Sequence, residues 1–330
     1  MNNYNANNNY KIVTIFGGSG FVGSFLSKEF IEAGYSVNII TRNKNSAINL
    51  KTLSCAGKLN IIEIDYSNER QIENCINGAD YIINLIASFD DSDINNFQYI
   101  HAQLPEKIAK FCSQSNSVQK FIHLSNLGID NSHTMFAKTR LLGESAVTSF
   151  FKKTIILRSS LIVGEDDAFL RVFIIMAKKF KFLPLFSSKK LNIELQPIYV
   201  GDLARSIRML IEQDEPDNSL RNIKEIAGPE IFTLNQIYDS IKNIIGFKVY
   251  LLPINIKILK ILAGIMSWKI FKPIHGIIFG INKSPISSEK LNSINLVTII
   301  RKRENNLLFK FIEKPKLLKD VIKKTYNKLF

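Results

Sequence analysis

Cysteine is scarce in this chain of 330 residues: Cys55, Cys75 and Cys112 are odd in number and lack any C-x-x-C spacing. That argues against a disulfide framework or a thiolate metal site and fits buried thiols in a reducing compartment. The four histidines, His101, His123, His133 and His275, lie far apart without metal-ligand spacing, so no metal is expected. No uninterrupted apolar run reaches the roughly 20 residues that a membrane-spanning helix needs. The first ten residues, MNNYNANNNY, contain neither arginine nor an apolar centre. Neither a secretory signal nor a typical transit peptide is therefore expected there, and the segment reads as a disordered tail.

Acidic residues are also thin at one end. From Lys248 onward, seventeen Lys and Arg face four Asp and Glu, which accounts for nearly all of the net charge of +14. These bases alternate with Ile, Leu and Phe, a pattern that suits a membrane face or a protein partner better than nucleic acid. In residues 253–272, Lys257, Lys260, Gly264 and Ser267 share one helical face with apolar residues around the rest. A surface-lying helix and a core-packing helix are both open there. The stretch 310–330 reads as a basic helix with the same two alternatives.

What is plentiful is glycine at one place. Residues 11–42 read as strand, turn, helix, strand, and the turn is Gly17-Gly18-Ser19-Gly20-Phe21-Val22-Gly23. An apolar run at 12–16 has the length and β-branching of a buried parallel strand. In such a turn one glycine permits the tight bend, a second lets backbone approach a pyrophosphate, and a third lets the helix sit on the sheet. The helix start adds free N–H groups and a positive dipole end. In this context the turn predicts dinucleotide binding.

The end of the second strand, residues 36–40, bears on which dinucleotide. A site preferring NAD usually has Asp or Glu there for the ribose 2′-hydroxyl, whereas this chain has Thr41-Arg42-Asn43-Lys44. The guanidinium of Arg42 suits a 2′-phosphate, so NADP(H) is the expected cofactor. A solvated basic turn is the alternative.

Further strands are expected at 59–64, 79–87, 118–124 and 153–157, with helices at 69–77, 96–115 and 136–151. That alternation predicts an α/β fold, a doubly wound parallel sheet with helices on both faces. Ligands sit at the carboxyl ends of such strands, which places Asp65, Tyr66, Ile86, Ala87 and Ser125 among candidate cofactor-facing groups. Asp65 reads equally well as a turn or cap residue, and Ser125 as a hydroxyl serving strand-end backbone. Beyond residue 163 the alternation loosens into a helix at 166–180, an extended segment at 191–199, a helix at 201–212, a strand at 224–226 and a Thr233-capped helix at 233–245. The expected organisation is therefore a tail at 1–10, a nucleotide-binding domain at 11–163, a small interleaved lobe at 164–250 and a basic C-terminal region at 251–330.

The segments FGGSGFVG, YIINLIA, LPEKIAKF, KFIHLSNL, LRSSLIVGEDDAFLRVF, QPIYVGDLA and AGPEIFTL, in this order, resemble the extended short-chain dehydrogenase/reductase superfamily. Within it they resemble the atypical branch that holds the alpha-subcomplex subunit nine of respiratory complex I and its bacterial relatives. The resemblance covers about residues 11–250 and fades beyond 282. It implies a Rossmann-type fold holding NADPH through Gly17, Gly18, Ser19, Gly20, Phe21 and Val22, and a structural subunit of complex I (NADH:ubiquinone oxidoreductase) near the membrane. Its implied location is the cytoplasmic face of a bacterial inner membrane, or the matrix side in a mitochondrion.

Active members of the superfamily carry Tyr-x-x-x-Lys on the helix after the fifth strand and a Ser or Thr at that strand's end. The tyrosine handles the proton, and the lysine lowers its pKa and holds the nicotinamide ribose. Aligning on Gly143-Glu144 puts Phe136 at the tyrosine position and Arg140 at the lysine position, with Ser125 as the hydroxyl. Phenylalanine has no proton to give, while arginine keeps the charge and can still bond a ribose or phosphate. The expectation is thus an NADP(H)-binding accessory protein without the superfamily chemistry. The alternatives are an epimerase, dehydratase or reductase using another acid, with His133 as the nearby candidate, or a helper in quinone biosynthesis.

Overall fold

The structure, a computed structural model, describes residues 10–53, 58–88, 94–186, 194–213, 222–254 and 298–330. The expected tail, apart from Tyr10, and nearly all of the 253–272 segment lie outside these described residues.

The chain alternates β1 (Ile12–Phe16), α1 (Phe21–Glu32), β2 (Ser36–Thr41), β3 (Leu59–Glu63), α2 (Glu69–Ile76), β4 (Tyr81–Asn84), α3 (Ile94–Gln98), α4 (Leu104–Gln114), β5 (Lys120–Asn126), α5 (Met135–Phe150) and β6 (Thr154–Ser159). It continues through β7 (Ile162–Val163), α6 (Ala168–Ile175), β8 (Phe182–Phe186), β9 (Glu194–Leu195), β10 (Ile198–Tyr199), α7 (Val200–Glu212) and β11 (Asn222–Ile226). Then come β12 (Phe232–Thr233), α8 (Leu234–Ile245), β13 (Tyr250–Ile254), α9 (Leu308–Phe311) and α10 (Leu318–Leu329).

The seven-stranded sheet runs β11-β6-β5-β4-β1-β2-β3, and every pairing is parallel. This is the doubly wound Rossmann-type order, and its direction reverses between β1 and β4. A crevice opens at such a reversal, outside the carboxyl ends of the strands. The strands read as continuous apolar runs because both faces are covered. Val13, Ile15, Ile83, Ile122 and Leu157 pack on one face with Leu203 and Ile207 of α7. Their neighbours Phe16, Ile82, Phe121 and Ile156 pack on the other with Ile72, Ile108 and Val147. The twofold alternation of side chains along a strand divides them.

Local differences from the sequence reading have physical reasons. The fourth strand ends at Asn84, short of residue 87. Asn84 Oδ1 takes the N–H of Ile86 at 3.1 Å, drawing the backbone out of the ladder. The helix expected at 96–115 is interrupted by a π-helical turn, Tyr99–Gln103. Residues 166–180 form α6, capped by Asp167, and a second π-helical turn, Met176–Phe180.

The basic helix expected over 310–330 is two pieces, α9 and α10, separated by a stretch containing Pro315. Leu318, Val321 and Ile322 are buried against Leu170 and Ile174 of α6 and Ile237 and Ile241 of α8. The apolar face of α10 is thereby spent in a second core and is not turned out towards lipid. Lys324 and Lys328 stay outside and pair with Glu165 and Asp166. Residues 222–226 leave the smaller lobe to pair with β6.

Candidate dinucleotide-binding site

Three glycines shape the turn after β1, each for its own reason. Gly17 has φ +77°, the left-handed region that side chains disfavour, and a Cβ there would also press on Ile86. At Gly23 a Cβ would overlap the Gly18 backbone, so α1 can approach the turn only without a side chain. At Gly20 the nearest atom to a Cβ is Gly17 O at 3.3 Å; the space in front of it is a cradle that a side chain would fill. Gly20 is also the N-cap of α1 and supplies no side-chain cap. The first N–H groups of that helix, those of Phe21 and Val22, are left to whatever lies beyond the helix end. Phe21 itself is half-buried and sits against Gly164.

At the end of β2 the hydroxyls of Ser19 and Thr41 meet at 2.9 Å, and Thr41 reaches Ser46 at 3.3 Å. This joins the glycine turn to the residues around it. Arg42 is exposed beside them. The carboxylate of Glu63 accepts the Lys44 N–H at 2.8 Å.

Asp65 is exposed, and its two oxygens take the N–H and hydroxyl of Ser67 at 2.9 and 2.7 Å. Those bonds hold its carboxyl below the usual carboxylate range. This is the turn role that the sequence left open. Tyr66 is turned inward: its hydroxyl donates to Ile40 O at 3.2 Å, its carbonyl accepts from Tyr99 at 2.6 Å, and burial pushes its phenol up to about 12. Ile86 lies half-buried over the glycine turn and Ala87 is exposed.

The other half of the crevice is built on β4, β5 and α5. Arg140 is 2% exposed, and its Nη2 donates to Leu124 O. Its Nε and Nη1, the hydroxyl of the adjoining Ser125 and the Nε2 of His123 have no hydrogen-bond partner among the described residues. An unmade bond from a buried polar group costs about 1–3 kcal/mol, and more for a charged one. Four such atoms lie on three residues that meet near the end of β5: His123 and Ser125 of the strand and Arg140 of α5. The hydroxyl of Ser125 therefore does not serve strand-end backbone.

Two histidines frame Arg140, and their bonds fix their tautomers. Asn84 Oδ1 is occupied by Ile86 N–H, so its Nδ2 donates to His123 Nδ1 at 3.1 Å and leaves the His123 proton on Nε2. His101 Nε2 accepts the Ser88 N–H at 3.1 Å, so its Nδ1–H donates to Thr139 Oγ1 at 3.0 Å. Thr139 passes its own proton to the carbonyls of Met135 and Phe136. Burial first, then the Arg140 charge, pulls His101 down to about 3 and His123 well below its ordinary value. Both rings are neutral at physiological pH.

Phe136 is 1% exposed and closed in by Phe97, Ile129 and Ala137. The His101 ring meets it edge-on at 5.3 Å. The close approach of the π-helical turn to α5 needs Gly143, where a Cβ would strike His101 O. The next residue, Glu144, is buried and grips Arg158 at 3.0 and 2.6 Å, and Arg158 also reaches Asp130. His133, the acid candidate in the sequence, is exposed. The histidine beside Phe136 is His101, 35 positions earlier in the chain. Nothing in its spacing signalled this, whereas His123 and Asn84, polar residues inside apolar strands, carried a legible hint.

Fold and site together define a Rossmann-type protein of the nicotinamide dinucleotide-binding kind, with an open glycine turn after β1 and unmatched buried polar atoms beside β5. Residues 13–223 match the NAD dependent epimerase/dehydratase family, to which this chain belongs. The chain is similar to the mitochondrial NADH dehydrogenase (ubiquinone) 1 alpha subcomplex subunit 9 of Arabidopsis thaliana, 26% identical over 70% of this chain and 58% of that protein. It is also similar to the mitochondrial NADH-ubiquinone oxidoreductase 40 kDa subunit of Neurospora crassa, 27% identical over 79% and 67%. The chain thus spans about three fifths to two thirds of these relatives. Among solved structures, a UDP-glucuronic acid 4-epimerase from Bacillus cereus in complex with UDP-glucuronic acid and NAD shares the fold. Its TM-score is 0.69 at 16% identity, over 96% of this chain and 98% of that one.

Proposed function

We propose that this chain is a non-catalytic, NADP(H)-binding accessory subunit of complex I. The observation that carries the reading is Phe136, a ring without a proton sealed between Phe97 and His101. His101, the ionisable group beside it, is neutral with both nitrogens engaged. Among the described residues, no acid stands where the superfamily's phenol acts. The dinucleotide role rests on the cradle at Gly20, the helix start at Phe21 and Val22, and the unmatched atoms of Ser125 and Arg140. Bound there, the cofactor supplies a nicotinamide able to carry hydride; the residues around it hold and orient it. Arg42, with the hydroxyls of Ser19 and Thr41, forms the site for a 2′-phosphate. Asp65, Ile86 and Ala87 line the adenine side, while Tyr66 supports it from within.

Complex I as partner rests on the named relatives, and a peripheral position fits the absence, among the described residues, of a helix long and apolar enough to cross a membrane. Lipid contact is better assigned to the exposed Phe180, Phe247, Tyr250, Leu251 and Leu252, which stand beside Lys178, Lys181 and Lys248, than to α10. The test is purification from detergent-solubilised membranes of the native host. Co-elution with complex I subunits and one NADPH per chain, unconsumed by added carbonyls or quinones, is expected. Elution alone, or nucleotide oxidised at an enzymatic rate, overturns the proposal.

A further inference from the structure

Among the described residues, no carboxylate is hydrogen-bonded to Arg140. Its guanidinium is buried, one nitrogen is bonded to Leu124 O, and Nε and Nη1 are unmatched among the described residues. Among the described residues the opposing charge that acts on it is Glu144, one helical turn along, and that pull is smaller than the effect of burial. The same carboxylate is bound by both Nε and Nη2 of Arg158, which shares its charge. His101 and His123 are neutral. Asp130 is 55% exposed and already on Arg158, where water screens it. Burial lowers the Arg140 pKa to about 10, which still leaves it charged at neutral pH. A fixed positive charge therefore sits at the carboxyl end of β5, in the half of the crevice opposite the glycine cradle.

We propose that Arg140 selects the redox state of the bound dinucleotide, favouring reduced nicotinamide and rejecting oxidised. The proposal rests on the dinucleotide reading above but not on the 2′-phosphate. Oxidised nicotinamide is a pyridinium with a full positive charge, whereas the reduced ring is neutral. The two forms share every phosphate, ribose and adenine contact, so the difference in their affinity isolates the ring charge. In a dry site a like charge a few ångströms away is weakly screened. Arg140 bonds ribose oxygens equally in both states and repels only one of the rings. A protein that keeps the dinucleotide reduced without turning it over would use it as a structural part.

Titration calorimetry on nucleotide-free full-length protein tests this with two pairs, NADPH against NADP⁺ and NADH against NAD⁺. The reduced form is expected to bind at least about tenfold tighter in both pairs. Arg140→Lys, which keeps the charge, should retain that ratio. Arg140→Met should bring it to within about threefold. A wild-type ratio near one overturns the proposal without any variant, and so does a folded Arg140→Met protein with its ratio unchanged. If neither pair binds, the dinucleotide reading fails. If both pairs bind with equal ratios but NADH matches NADPH in affinity, only the 2′-phosphate role fails and the redox selection stands.

Discussion

Restoring the phenol by Phe136→Tyr puts an oxygen at the tip of a ring that is 1% exposed. The groups around it are Phe97, Ile129 and Ala137, which are apolar, and His101, whose nitrogens are committed to Thr139 and Ser88. A buried hydroxyl without a partner costs about 1–3 kcal/mol. With roughly 2–4 °C lost per kcal/mol in a chain of this size, the melting temperature should fall by about 2–12 °C. The new phenol should also stay protonated, because burial raises a tyrosine pKa. Thermal unfolding of the nucleotide-saturated variant measures the cost. NADPH absorbance in the presence of carbonyls and quinones measures the chemistry, and none is expected. A variant as stable as the wild type that oxidises NADPH would refute the reasoning, because the ring tip would then open onto a working cleft.

Gly20→Val should lose dinucleotide binding while the melting temperature of the nucleotide-free protein moves by less than about 2 °C, since only Gly17 O stands near its Cβ. Gly23→Ala, by contrast, should unfold the turn against Gly18, as circular dichroism would report. Arg42→Ala should weaken NADPH by roughly three- to tenfold, less than a buried pair would give because the site is exposed, and leave NADH unchanged. His101 has a folded pKa of about 3, below its unfolded value, so the unfolded chain binds more protons as pH falls below about 6.5. Stability is fully present above that pH and should decline by up to about 1.4 kcal/mol per unit towards pH 4. His123 adds in the same direction, and urea midpoints between pH 7 and 5 that do not move would contradict both. Ile322→Ala should cost about 2–5 kcal/mol if α10 is core, measured by urea unfolding, whereas a lipid-facing residue would cost almost nothing in detergent-free buffer.

The parallel sheet and the glycine turn were legible because their signals are local. Buried strands at 12–16, 81–84 and 154–159 are built around short apolar runs, and a turn that needs φ above zero has little choice but glycine at Gly17. The fourth strand read long because Leu85 and Ile86 continue its apolar run, and only the Asn84 side chain in place shows where the ladder stops. Residues 310–330 read as one basic helix because charge and periodicity say nothing about which surface receives the apolar side. The answer lay in α6 and α8, more than 60 positions away.

The amino-acid sequence alone determined that a doubly wound sheet carries a glycine turn of the dinucleotide-binding kind, that no carboxylate follows Thr41 directly, and that the helix after the fifth strand carries Phe136 and Arg140. Each of these depends on residue type at short spacing, which the chain carries in itself. Only the tertiary structure decided that His101 closes over Phe136, that Ser88 and Asn84 set the two histidine protons, and that Arg158 takes the Glu144 carboxylate by two bonds while Arg140 bonds no carboxylate among the described residues. Burial and pairing depend on segments up to 74 residues apart, Asn84 to Arg158, meeting near one strand end, and desolvation there, absent from an extended chain, is what makes the buried charge matter.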